Sequence, residues 1–509
     1  MNIYMSDNNN FQNMQMIDIE NTPEMLFFRA KIAKHLGLTS LIYAAFSTFC
    51  LYRNLSGVMM PFFGIATLIY MIYGLRQYDV KIEKTSWFIA GVILALAVSD
   101  FLTCNHVILF YNNAVIGFMI ILFLLHNVYD DSRWDFSKTL RSICRSCISS
   151  IGSLVDFGLD MRALSQRRTD GPENSTKKST VKYIIIGLIF AMPLTLILLL
   201  LLSTADAVFN ELLGKILYLD IDIENIVGIA FTFFMIFFGG YCVMRFFSKK
   251  VIREDYTANR NLEPVIAITV LSIVSVIYLL FSGIQIIYLF LGDGTPPLGY
   301  SYARYAREGF FELLAVSVIN FLMVLFVNKR FRESSVLKVL MTIISLCTYI
   351  MIASSALRIK MYIDAYLLTS LRIWVVWGLI VLSLLFVAVI ISIYKHDFPI
   401  FRYGILVVSV LYIMISYARP DYIIADYNLK HINTSEHESA VIDYNYLKRL
   451  SADAAPAIAE YCNAFPDEDK ENSFSEDYFR KCRKYYKDRS LRQFNLSAYT
   501  AEKLSGTDR

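Results

Sequence analysis

Ionisable side chains collect at three places in an otherwise apolar chain, and they are the first candidates for chemistry. The first is the string from Leu202 to Phe209, which contains Ser203 and Asp206. The second, Tyr302 to Glu312, carries Arg304, Arg307, Glu308 and Glu312; its spacings of three and four residues would stack those charges along one side of a helix. The third, Leu357 to Tyr366 with Arg372 beyond it, contributes Arg358, Lys360 and Asp364. Two readings are open for the cluster Asp206, Arg304, Arg307, Glu308, Glu312, Arg358, Asp364 and Arg372. One is a pocket for an anionic lipid headgroup or a small solute. The other is an ion-pair lock that ties helix ends together. Glu312, about one turn inside the expected membrane boundary, needs an arginine partner on either reading.

The elements that must position these groups are membrane helices. Of 509 residues 56% are hydrophobic and only 18% charged, against roughly a quarter charged in soluble domains. Mean hydropathy is +0.48, and the apolar residues fall into blocks long enough to cross about 30 Å of hydrocarbon as helices. The expected fold is all-α: a polytopic bundle of about eleven spans with a small, mainly helical soluble tail. Spans are placed at 35–52, 54–75, 86–103, 105–126, 181–203, 224–245, 263–291, 309–328, 336–357, 370–394 and 399–418.

Lysine and arginine give the orientation, because loops rich in them stay in the cytoplasm. With the amino terminus inside, inner segments hold 27 such residues and outer connections only 7. The chain then reads as a cytoplasmic segment 1–34, a first membrane block 35–126, a cytoplasmic amphipathic helix and linker 127–180, a second block 181–418, and an extracytoplasmic tail 419–509. In the linker, Leu140, Ile143, Cys147, Ile151 and Leu154 recur at helical spacing opposite Lys138, Arg141 and Arg145, as expected of a helix lying beside anionic lipid. Short helices are expected at 444–450, 452–465 and 475–486.

Asp100, Asn105, Asn112, Asn113, Gln285 and Asn320 fall inside spans, where amides are expected to bond to neighbouring helices. Cys144 and Cys147 have a redox-like or metal-like spacing but no second pair and no nearby histidine, so they read as packing residues. Cys462 and Cys482 share the oxidising side in this topology, and a disulfide between them is the expectation. The sequence contains no GxxxxGK[ST] loop, HExxH helix or GxSxG turn, and neither a cofactor nor a metal nor nucleic-acid binding is indicated.

Read in order, the strings Ser203–Phe209, Tyr305–Glu312, Tyr362–Thr369 and Asp443–Asp453 resemble a family of bacterial multi-pass proteins catalogued as a domain of unknown function, in the groups numbered four-one-five-three and four-one-seven-three. The likeness runs from about Val181 to Phe465, with Leu367 standing where glycine is expected. It implies an integral membrane location and supplies no catalytic residue. The leading functional expectation is a non-enzymatic sensor or envelope-associated binding protein; a transporter and a membrane-embedded transferase are the alternatives. Lipid is the expected partner, together with an anionic lipid or small ligand at the outer face, and no protein partner can be named.

Overall fold

The computed structural model describes residues 23–131, 134–167, the three positions 195, 198 and 202, and residues 223–252, 260–287, 309–395, 398–431, 443–466, 474–487 and 489–505. Among these residues the chain is helical, without a strand; a single isolated bridge joins Leu262 to Phe331. Eight helices are long and apolar enough to cross a membrane. They are α2 (Met59–Gln77), α4 (His106–Val128), α7 (Ile223–Ser248), α8 (Pro264–Gln285), α9 (Phe310–Arg330), α10 (Ser335–Tyr366), α11 (Ser370–Tyr394) and α12 (Ile400–Tyr417). Two further expected spans are helices α1 (Pro23–Leu51) and α3 (Ser86–Leu102), the latter apolar but shorter. The span expected at 181–203 falls almost wholly outside the described residues.

The chain forms two compact units. The first contains α1, the second half of α2 from Ile69, the end of α5 (Phe136–Gly152), α6 (Leu154–Arg167) and α7. Here α1 packs on α6 and α7. Tyr43 and Tyr70 stack with ring centroids 4.5 Å apart, and Ser40 bonds the Tyr70 hydroxyl at 2.8 Å. Two helices replace the single amphipathic helix expected over 134–164, broken at Ser153. Their polarity is the reverse of a helix in water: Ser142, Ser146, Ser150, Ser153 and Asp156 are buried, while Ile148, Ile151 and Val155 are about 70% exposed. Hydrocarbon on that exposed face accounts for the reversal.

The second unit holds α3, α4, α8 to α12 and the carboxy-terminal helices α13 (Pro420–Lys430), α14 (Tyr444–Leu447), α15 (Ala455–Ala464), α16 (Phe474–Lys487) and α17 (Leu496–Ser505). One core fills the bundle of α8 to α11 with Leu271, Val324, Ile344, Phe386 and Val389. A second core binds α13 to α17 into a cap through Ile424, Leu447, Ile458, Phe474, Tyr478 and Ala501; Cys104 and Leu368, from two membrane-helix turns, are part of it. The cap therefore rests on the same ends of the helices as the α3–α4 and α10–α11 turns. At the opposite ends Asp131 pairs with Arg402 at 2.6 Å and with His126 at 3.0 Å. Burial works against the Asp131 charge, yet these two partners hold its carboxyl below the usual value.

Helix α10 ends at Leu367, whose φ of 61° with ψ of −177° is a region that only glycine enters freely. The side chain that resolves the departure from glycine is Arg372. It donates to the carbonyls of Tyr366, at 2.7 Å, and of Leu367, and lies 4.2 Å over the ring of Tyr362. Leu367 is 8% exposed, so replacing it forfeits burial as well as strain. Leu367→Gly should therefore be more stable than Leu367→Ala by about 1–2 kcal/mol, the reverse of the usual order, read as midpoints of thermal unfolding in nanodiscs.

Candidate functional site

Of the eight charged residues grouped by sequence, Asp206, Arg304, Arg307 and Glu308 lie outside the described residues. The other four do not converge on one pocket. Glu312 is exposed rather than buried against an arginine, and its carboxylate accepts the Gly309 amide at 2.8 Å, closing the first turn of α9. Gly309 itself has φ of 96°, which favours glycine, and a Cβ there would press on the Arg358 guanidinium. Asp364 is exposed on α10. Arg372 caps α10 as described above.

Arg358 heads a line of polar side chains that descends between α8, α9 and α10. Its guanidinium approaches Gln285 Oε1 at 3.4 Å, and Ser354 donates to the same oxygen at 2.6 Å. Deeper, Tyr278 donates to Asn320 Oδ1 at 2.7 Å and Asn320 donates to Thr348 at 2.9 Å. One turn further on stand Val324 and Ile344, both wholly buried. The polar line thus stops part-way through the bundle, against an apolar layer.

A second polar group surrounds Asp100, which is fully buried near the end of α3. Asn112 donates to its Oδ1 at 2.8 Å, and Asn112 in turn accepts from Tyr412 at 2.8 Å and Ser416 at 3.1 Å. Ser99 and Ser416 hydroxyls meet at 2.6 Å. Oδ2 of Asp100 has no hydrogen-bond partner. Asn105, expected to be a packing amide, is instead the cap of α4, accepting from the Val107 and Ile108 amides.

Sequence reasoning missed the joint between the cap and the membrane helices. Asp453, 1% exposed, receives hydrogen bonds from the Thr103 hydroxyl, the Ser497 hydroxyl and, at 2.8 Å, the Cys104 amide. Asn495 donates to the Asp100 carbonyl at 3.2 Å and the Thr103 carbonyl at 2.9 Å, and its Oδ1 accepts the Cys104 thiol at 3.0 Å. Burial pushes that thiol up to about 12, so it stays protonated and able to donate. Asn428 grips Leu368 in the α10–α11 turn at both amide (2.7 Å) and carbonyl (3.0 Å). Gln493 bonds the Arg53 carbonyl, while Val58 donates to the Phe494 carbonyl at 2.8 Å. Three membrane-helix turns are held in this way.

No disulfide joins Cys462 to Cys482; Cys462 is half-buried and Cys482 is buried beside the Tyr478 hydroxyl. Cys144 and Cys147, read from the sequence as packing residues, are exposed. Among the described residues no group of three or more His, Cys, Asp or Glu side chains could hold a metal ion.

Eight long apolar helices and a helical cap clasping their turns define a multi-pass α-helical membrane protein. Within that class the chain belongs to the family catalogued as a domain of unknown function, DUF4153, whose model matches residues 90–461. The match begins earlier than the motif strings suggested, taking in α3 to α6 as well as the later spans. No curated protein and no solved structure matches the chain.

The Asp453 joint has a calculable response to pH. Burial raises its carboxyl above 3.8 despite the hydrogen bonds from Ser497, Thr103 and Cys104 that favour the charge. A group raised in the folded state binds its proton more tightly there, so its contribution is complete below pH 3.8 and is lost as pH climbs through the raised value. Over that window the wild type should lose stability relative to Asp453→Asn at up to about 1.4 kcal/mol per pH unit. Asp453→Ala, which strands three donors, should cost about 3 kcal/mol below pH 3.8, and less as pH rises through the raised value. Chemical denaturation of the cap followed by tyrosine fluorescence reads both.

Proposed function

We propose that this protein is a non-enzymatic membrane receptor whose extracytoplasmic cap senses a component of the envelope and moves three membrane-helix turns as one body. The observation that supports it is the joint itself: side chains of the cap hold the backbone of the α1–α2, α3–α4 and α10–α11 turns, and those at the last two turns, Asp453 and Asn428, are buried. A cap that merely shielded the helix ends would not need to seize their main chains. Contact through fixed backbone makes any displacement of the cap a displacement of the helices.

Among the described residues, two carboxylates that an enzyme could employ are otherwise engaged. Glu312 closes a helix turn and Asp453 is buried among its own donors. The sidedness rests on charge, with 27 lysines and arginines in the segments assigned to the cytoplasm and 7 in the connections between spans on the opposite side. Transport is the second reading, and the polar line from Arg358 to Asn320 favours it. The buried layer of Val324, Ile344 and Phe386 at its inner end weighs against it.

Hydrogen exchange of the full-length protein in nanodiscs tests the coupling. Asn428→Ala cuts two hydrogen bonds at the α10–α11 turn. Exchange should rise about tenfold or more there and by a comparable factor at residues 100–105, which Asn428 does not touch. A rise confined to residues 366–370 would sink the receptor reading. Sidedness has its own check at Leu491, 91% exposed on the cap. A membrane-impermeant maleimide should label Leu491→Cys on intact cells, whereas labelling that required lysis would reverse the topology.

A further inference from the structure

In the first compact unit a groove of about 820 Å³ opens between α1, α6 and α7. We propose that it holds one anionic phospholipid, the headgroup at Lys31, Lys34 and His35 and an acyl chain along the aromatic wall. The floor and walls are Leu38, Leu41, Phe157, Phe233, Phe234 and Phe237. Phe157 sets the floor, with the rings of Phe237 and Phe238 standing edge-on to it at 5.7 and 5.5 Å. The volume falls within the range of about 300–1,000 Å³ that ligand sites occupy.

Charge selects the occupant. Lys31 and Lys34 are three residues apart, project from one side of α1 and are exposed, and among the described residues that line the groove none is acidic. The two carboxylates nearest in this unit are already taken. Asp160 is bound by Arg245 at 2.8 Å, by the Tyr241 hydroxyl at 2.8 Å and by Arg29 at 3.4 Å; Asp156 is bound by Lys249 at 2.6 Å. The lysines at the rim therefore keep their charge for a ligand, and the ligand must be an anion.

Position selects a lipid over a soluble anion. Leu41 lies seven residues beyond Lys34, about 10 Å along the helix, the distance from a phosphate to the upper part of an acyl chain. Around the groove the surface is the reversed one already described, with Ile148, Ile151 and Val155 bare and the serines buried. Leu38 and Leu41 are themselves 61% and 49% exposed, which hydrocarbon satisfies and water does not. A chain lying in the groove would cover them.

The test is native mass spectrometry of the full-length protein in micelles titrated with phosphatidylglycerol or phosphatidylcholine. The wild type should retain one phosphatidylglycerol in preference to phosphatidylcholine. Lys31→Gln with Lys34→Gln should weaken phosphatidylglycerol about 30-fold, the worth of two cations at headgroup level, with phosphatidylcholine unchanged. Leu41→Trp, which fills the groove from the apolar side, should reduce both lipids without lowering the thermal midpoint. Equal retention of phosphatidylglycerol by wild type and both variants would overturn the proposal. So would near-complete disulfide trapping between Leu41→Cys and Leu198→Cys, since the groove would then belong to the chain's own residues around 198.

Discussion

A helix that ends at the edge of hydrocarbon leaves four carbonyls or four amides that neither lipid nor the next turn can satisfy. The arrangement of this protein's polar side chains follows from that constraint. Arg372 supplies carbonyls at the end of α10, Glu312 an amide at the start of α9, and Asn105 two amides at the start of α4. At two of these turns the cap satisfies further main-chain groups: Asn428 those of Leu368, Asn495 those of Asp100 and Thr103, Asp453 that of Cys104. The cap is in this sense the missing hydrogen-bonding partner of the membrane helices.

The same constraint decides how the charged residues are used. Arginines near the ends of helices look like a binding site when only their types and spacing are known. In the fold Arg372 faces main-chain carbonyls and Arg358 faces a glutamine and a glycine that makes room for it. The described half of the cluster is thereby closer to the lock than to the pocket.

Much of the architecture was legible before any coordinates, because a membrane helix is written in some twenty consecutive residues and needs no distant partner to be recognised. Ten of the eleven expected spans appear as helices at the expected places, and the helix expected at 475–486 is present as Phe474–Lys487. The joint was illegible for the converse reason. Asp453 and Thr103 are separated by 350 residues, and Arg29 and Asp160 by 131; nothing local to any of them announces a partner. The faint signal was the strings themselves, since Asp443 to Asp453 carried the family likeness although its role could not be read. The linker, expected as one amphipathic helix, is two, and its buried side is the serine side, because hydrocarbon and protein interior exchange roles when a helix lies in the interface.

The separation of 392 residues between Asn495 and the Thr103 carbonyl it satisfies has a temporal meaning. At ordinary rates of synthesis roughly 20 to 80 s pass between the making of that hairpin and the making of its clasp. During that interval the α3–α4 turn must sit at the bilayer surface with its main chain hydrated by water alone. A nascent chain interrupted before Asn495 would present an open, polar hairpin to the quality-control machinery, and synthesis of the clasp would be the event that hides it.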